Sequence, residues 1–366
     1  MSVDLSPLFS PIDIAGLSLP NRLVMAPMSR YFCPDGIPHA DVAAYYRRRV
    51  EGGVGLILSE ATYINHPSAE CYRGVPRFHG AALEGWKTVI DAVHEAGGKM
   101  FPQLWHVGSF RQPGMAPEPA VPGLGPSENT NPAAEGDAAT RAMTDGDIAD
   151  VIAAYAQAAA DAKRLGFDGV ELHGAHGYLL DEFLWDRTNR RTDQWGGDHK
   201  GRTAFPVAVI AAVRAAVGPD FPVSLRWSQW KQQDYKVRLA DTPDMLGQIL
   251  RPLADAGLSI LHCSTRRVWE PGFPDADPAR TMSGWVKELT GLPTISVGGV
   301  GLAQAGIKSS GAASLDAVAA PLARGEFDLL AVGRALLADP NWPKLLRNGR
   351  AEDGKGFDKS QLETLI

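Results

Sequence analysis

One pattern recurs along the chain and constrains its fold more than any other feature. A helical stretch ends at a glycine, a few residues follow, an apolar run of about five forms, and polar residues come directly after it. It reads in Gly52-Gly53 then Val54–Ser59, Gly97-Gly98 then Lys99–Leu104, Gly166 then Asp168–Leu172, and Gly218-Pro219 then Pro222–Trp227. It returns in Gly257 then Leu258–Cys263, Gly291 then Pro293–Val297, and Gly325 then Phe327–Val332. With Arg22–Ala26 as the first strand that makes eight. Helical stretches such as 40–51, and Ala-rich ones such as Thr144–Leu165 and Thr203–Val217, lie between strands and are long enough for right-handed crossovers. The prediction is an α/β fold, a closed parallel (β/α)8 TIM barrel. An open doubly wound sheet is the alternative, weakened by the missing Gly-x-Gly-x-x-Gly turn after the first strand.

Residues 11–20 read as a short β-hairpin around Ala15-Gly16, ahead of the first barrel strand. Three long stretches, 107–143, 228–241 and 264–281, follow strands, so they are expected over the C-terminal face as a lid. The tail from about Arg347 is polar and expected to be mobile. The whole of 1–366 reads as one domain, since barrels often exceed 250 residues. With 45% hydrophobic and 21% charged residues there is ample core. A net charge of −6 and no basic run exclude a nucleic-acid surface. No apolar run spans a membrane, and Met-Ser-Val-Asp-Leu-Ser lacks a signal peptide's basic start and apolar core. A cytoplasmic protein is expected, monomer or homodimer, with no membrane partner. Cys33, Cys71 and Cys263 offer neither a disulfide framework nor a cluster-binding spacing.

The densest chemistry stands in Asp168-Gly-Val-Glu-Leu-His-Gly-Ala-His-Gly-Tyr178. The strand is expected to run out near His173 and the chain to turn at Gly174 and Gly177. His173 and His176, three residues apart, can then share one side of a helical turn, with Tyr178 a step further. Three readings are open: proton-donor chemistry, a pair of structural histidines, or a metal site. Zn²⁺ needs a third ligand and only Glu171 is near, pointing to the other face from Leu172, so no metal is expected.

A barrel carries everything that follows its strands to one rim. Here that means Pro27-Met28-Ser29, Glu60-Ala61, Gln103 with Trp105, the His173/His176/Tyr178 group, Arg226, Gly298-Gly299 and Gly333-Arg334. Glycines after the seventh and eighth strands let backbone N–H groups approach a phosphate, and Arg334 adds a charge-assisted pair. Singly such glycines read as turns; together, in the two places where barrels bind phosphate, they point to a phosphate-bearing ligand. Gln103 can donate to and accept from a ring amide edge, and Arg226 can face a ring that becomes anionic. A polar strand end and a structural ion pair are their plainer readings, and Trp105 reads as packing.

These residues resemble the Old Yellow Enzyme flavoproteins, FMN-dependent ene reductases. The resemblance runs from Asn21-Arg-Leu-Val-Met-Ala-Pro-Met-Ser-Arg30 to Val332-Gly-Arg-Ala-Leu-Leu-Ala-Asp-Pro340, through Ser59-Glu-Ala-Thr-Tyr-Ile64, Pro102-Gln-Leu-Trp-His106, His173-Gly-Ala-His-Gly-Tyr178, Asn189-Arg-Arg-Thr-Asp-Gln-Trp-Gly-Gly197 and Ser296-Val-Gly-Gly-Val300. It implies that Pro27, Met28, Ser29 and Ala61 flank the flavin, that Gln103 pairs with its pyrimidine edge, and that Arg226 faces N1. It implies that Gly298, Gly299, Gly333 and Arg334 hold the FMN phosphate. His173 and His176 would bind a substrate carbonyl oxygen, Tyr178 would protonate the α-carbon, and Trp105 would be a further substrate contact. The implied reaction passes a hydride from NAD(P)H through FMN to the β-carbon of an α,β-unsaturated carbonyl compound. Nitro compounds or nitrate esters on the same scaffold, or a different FMN-barrel dehydrogenation, are the alternatives. Ser29 stands where relatives often carry Thr or Cys, and His176 where part of the family has Asn. The Cys-rich C-terminal half of iron–sulfur relatives is missing, which implies FMN alone.

Overall fold

Eight parallel strands close into a barrel in the computed structural model, which describes residues 4–128, 140–301 and 315–366. They are β1 (Leu23–Met25), β2 (Leu56–Tyr63), β3 (Met100–Trp105), β4 (Val170–His176), β5 (Val223–Lys231), β6 (Ile260–Ser264), β7 (Thr294–Val297) and β8 (Leu329–Val332). Each neighbours the next in the chain, and β8 pairs back onto β1. The predicted helices stand between them as Ala40–Glu51, Asp145–Leu165 and His199–Val217. The second begins at a reciprocal cap, Thr144 with Asp147, and ends on Gly166 at φ 94°, a left-handed stop that favours glycine. The third starts four residues before Thr203 because Asp198 caps it through the Gly201 N–H.

Alternation along the strands divides the barrel interior into two halves. Val24, Leu56, Leu58, Phe101, Ile260, Ile295 and Leu329 form one apolar cluster with Ile14, Leu17 and Leu19 of the hairpin. The hairpin, Ile12–Ile14 against Leu17–Leu19, therefore stoppers the end opposite the rim. Each such aliphatic side chain contributes about 1.5–3 kcal/mol by leaving water. Above them the inward positions turn polar: Gln103, Glu171 and Ser224 stand side by side in register, and His173, Arg226 and His262 form the next layer. Polar groups so deeply buried need partners, and the fold places them where a ligand can be one.

The segments expected as a lid lie where strand order puts them, with residues 129–139 of the first outside the described part. Phe110 packs on Tyr178 at a ring separation of 4.7 Å. Trp230, Tyr235, Thr265 and Arg266 wall the rim cavity described below. The polar tail expected to be mobile is instead hydrogen-bonded: Arg30, 2% exposed, donates to the carbonyls of Gln361 at 3.0 Å and Thr364 at 2.7 Å, and Arg49 to that of Ile366. A buried guanidinium needs acceptors, and the tail's backbone supplies them.

The lid's first residues are tied to the helix Leu179–Leu184, because Glu182 accepts from the Ser109 N–H at 3.0 Å and from its hydroxyl. Burial pushes the Glu182 carboxyl up to about 8 from an ordinary 4.5. The folded state thus holds a proton that the unfolded chain releases, and stability falls as pH rises between those two values. We expect Glu182 to contribute a loss of about 5 kcal/mol across that window, at about 1.4 kcal/mol per unit, and Glu182→Gln to remove that part of the slope. Urea unfolding of both proteins across the window checks this. Parallel curves would exclude Glu182 as the origin.

Candidate active site

His173 and His176 are brought together by a distorted strand, not by the predicted helical turn. β4 continues through both, and three residues along a regular strand would turn them to opposite faces. A register shift against β5 between Gly174 and His176, with His176 at φ 67° and Gly177 at φ 85°, rotates the second ring back. The ring centroids are 5.2 Å apart and nearly perpendicular, at 86°. A left-handed histidine is strained and persists because its neighbours are held. The His176 N–H donates to Ser228 Oγ at 3.0 Å, and the His176 carbonyl accepts from the Gln232 N–H at 3.2 Å. The Gly177 N–H donates to Asp181 Oδ2 at 2.7 Å, and Lys231 Nζ lies 2.5 Å from Asp181 Oδ1, both side chains fully buried.

Tyr178 caps the following helix, enclosed by Trp105 at 4.7 Å, Phe110 at 4.7 Å and His173 at 4.9 Å between ring centroids. Its hydroxyl accepts from Gln232 Nε2 at 2.9 Å. Burial raises the phenol above its ordinary value, so it keeps its proton at neutral pH. Burial first, and the Arg226 charge second, hold both histidines well below 6.5. Each ring is therefore neutral and carries one N–H. His176 Nε2 lies 2.8 Å from Ser264 Oγ, and His173 Nδ1 is buried without a partner among the described residues.

A cavity of about 410 Å³ opens at the rim, and eight predicted residues meet in its wall: Pro27, Met28, His176, Arg226, Gly298, Gly299, Gly333 and Arg334. That size falls within the usual range for ligand pockets. Gly298 and Gly299 have φ of 150° and 75°, and an added Cβ would come within 2.5 Å of the Thr265 carbonyl oxygen and 2.8 Å of Trp269. Only glycine lets the chain pass there. Arg266 and Arg334 both line this wall, and neither has a carboxylate partner among the described residues. Burial, then the Arg266 charge, lowers Arg334, as expected of two cations awaiting an anion. The wall thus offers apolar Pro27 and Met28, the buried Nε of Arg226, which has no partner among the described residues, and two guanidiniums. This donor set suits a flat ring with an anionic tail, and FMN fits it. Among the described residues no group of three or more His, Cys, Asp or Glu is placed to hold a metal ion.

The other predicted residues are not in that wall: His173 and Tyr178 reach it only through His176, whose ring lies 5.2 Å from that of His173. Gln103 lies one inward layer below Arg226 and donates from Nε2 to Glu171 Oε1 at 2.8 Å. Ala61 is its register partner on β2. Trp105 stacks on Tyr63 at 5.2 Å and faces His173 at 6.0 Å. Ser29 is half-buried and stands close to the Tyr31 side chain. Sequence reasoning missed Ser264, Glu171 with His262, and Gln232, and saw Arg266 only as lid. The rule that strand ends face the rim was applied to seven strands and skipped the sixth; there it would have found His262 and Ser264. Nothing local in the sequence signals the partnership of Gln232 with Tyr178, 54 residues away.

Residues 7–353 match the family described as NADH:flavin oxidoreductase / NADH oxidase. The chain is 34% identical over 359 residues to the NADH oxidase of Thermoanaerobacter brockii, a match covering 94% of this chain but only 51% of that longer protein. It is 32% identical over 355 residues to 12-oxophytodienoate reductase 2 of Arabidopsis thaliana, covering 92% of this chain and 87% of the relative. Among solved structures, morphinone reductase in complex with tetrahydroNAD superposes with a TM-score of 0.82 at 31% identity, covering 97% of this chain and 93% of the other.

Proposed function

The chain belongs to the NADH:flavin oxidoreductase / NADH oxidase family, which is the Old Yellow Enzyme family, and from that premise we propose that it reduces the activated C=C bond of α,β-unsaturated carbonyl compounds. It is an FMN-dependent enzyme driven by NAD(P)H. Bound FMN supplies the hydride chemistry, between NAD(P)H and the β-carbon of the substrate.

The protein's own residues do the rest. His173 and His176 present neutral N–H donors to the substrate carbonyl oxygen, where charge develops; a well-placed donor contributes about 3 kcal/mol to such a transition state. Tyr178 gives its proton to the α-carbon. Gly298, Gly299, Gly333 and Arg334 hold the FMN phosphate, and Arg266 joins them. Arg226 puts its charge beside the ring edge, Gln103 meets the pyrimidine side, Pro27, Met28, Ser29 and Ala61 flank the ring, and Trp105 walls the substrate side. The reading rests on one observation: His173 lies 4.9–5.2 Å from the rings of Tyr178 and His176, and His176 lines a cavity that also holds two guanidiniums without carboxylate partners among the described residues.

We treat 1–366 as one FMN-binding domain, in the cytoplasm, as a monomer or homodimer; sedimentation checks the last. No helix among the described residues is long and apolar enough to cross a membrane. The decisive test is spectroscopic. Protein loaded with FMN is expected to bleach on anaerobic addition of NADPH or NADH and to recover its yellow colour when cyclohexenone is added. Protein that takes up no FMN ends this reading, and bleaching without recovery on any enone in a small panel moves it to the nitro-compound or other FMN-barrel alternatives.

A further inference from the structure

Beneath the cavity lies a buried carboxylate that the reaction does not use. Glu171 is fully buried, and three side chains converge on it: Gln103 Nε2 at 2.8 Å, Ser224 Oγ at 3.0 Å and His262 Nδ1 at 2.8 Å. A carboxylate only accepts hydrogen bonds, whereas the Gln103 amide has one accepting and one donating end. Turning that amide over would set its oxygen against the Glu171 oxygen, two acceptors in contact in a dry interior, where an unsatisfied pair costs most. Gln103 Oε1 has no hydrogen-bond partner among the described residues, so the end that remains for a ligand is the acceptor.

We infer that Glu171 is a positioning residue: it locks the Gln103 amide so that Oε1 is presented to the bound ring, selecting a ligand edge that carries an N–H. This deepens the flavin reading and rests on it, because the edge in question is the pyrimidine N3–H of FMN. Burial pushes the Glu171 carboxyl up, but His262, the Arg226 charge and the Gln103 bond outweigh it and hold the group below the usual carboxylate range. It therefore stays an acceptor throughout the neutral range. In Glu171→Gln the new amide can pair with either end of Gln103, and the lock is released with side-chain volume kept.

The consequence can be read from the flavin spectrum without turnover. An acceptor oxygen facing N3–H opposes loss of that proton. An amide free to turn over can instead donate to the deprotonated nitrogen. Full-length protein loaded with FMN is titrated to alkaline pH, and the N3 ionisation is followed by absorbance beside free FMN. Wild type is expected to ionise above free FMN, and E171Q to fall back toward it by about one unit. E171D keeps the charge but withdraws it from Gln103, and it should move the same way; it also serves should E171Q not fold. Retention of the wild-type ionisation in E171D or E171Q with FMN bound overturns the lock. A wild-type ionisation no higher than that of free FMN also overturns it. Failure of wild type to bind FMN overturns instead the functional reading beneath it.

Discussion

Replacing Tyr178 by Phe is expected to slow reoxidation of the reduced enzyme by an enone by about 10²–10⁴-fold, while reduction by NADPH or NADH keeps its rate. The asymmetry follows from where protons go. Transfer of a hydride from nicotinamide needs no proton at carbon, whereas saturating the C=C bond needs one at the α-carbon. Tyr178 is 6% exposed and walled by Trp105, Phe110 and His173, so water has little access to replace it. Because burial raises its pKa, the acid form persists through neutral and mildly alkaline pH, and the wild-type reoxidation rate should decline only at strongly alkaline pH. Stopped-flow measurement of the two half-reactions separates these outcomes; equal slowing of both, or of neither, would falsify the proton-donor role.

A second large effect is expected far from the chemistry in kind, though close in space. Lys231→Met should destabilise the fold by about 3–5 kcal/mol, since it leaves the Asp181 carboxylate charged and unpaired where neither side chain meets solvent. For a chain of this size that is a fall in Tm of roughly 5 °C. Asp181 also accepts the Gly177 N–H, so the loss reaches the turn that carries His176 and Tyr178. Adding Asp181→Asn to Lys231→Met keeps an acceptor for Gly177 and removes the stranded charge, so the double variant should regain most of the lost stability. Calorimetry on the four proteins of this cycle decides the matter. A Lys231→Met variant that melts with wild type would mean the pair contributes nothing, and a double variant no better than the single would mean the charge was not the cause.

Much of the architecture was legible because the signals are local. An apolar run after a glycine buries on both faces of a parallel strand whatever stands elsewhere in the chain, and eight such runs with helices between them close in one way. The rim residues follow from the same arithmetic, which is why Pro27, Met28, His176, Arg226, Gly298, Gly299, Gly333 and Arg334 share one cavity wall. The error at His173 and His176 was one of conformation. Two glycines and a three-residue spacing suit a helical turn as well as a bulged strand, and pairing with β5 decides between them. The tail shows the same limit in reverse. Its polar composition reads as loose chain, but Arg30, buried more than 330 positions away in sequence, needs its carbonyls.

By itself the sequence determined the number of β/α units, the closed parallel barrel and the side of it on which the chemistry stands, since hydrophobic period and chain order specify these without distant contacts. Only the tertiary structure decided which groups touch: Gln103 with Glu171, Glu171 with His262, Lys231 with Asp181 and Gln232 with Tyr178, at separations of 50 to 91 residues. The physical reason is that a buried polar atom is satisfied by whichever group the closed barrel brings within about 3 Å, and that distance is a property of strand register and bulge, on which local pattern is silent.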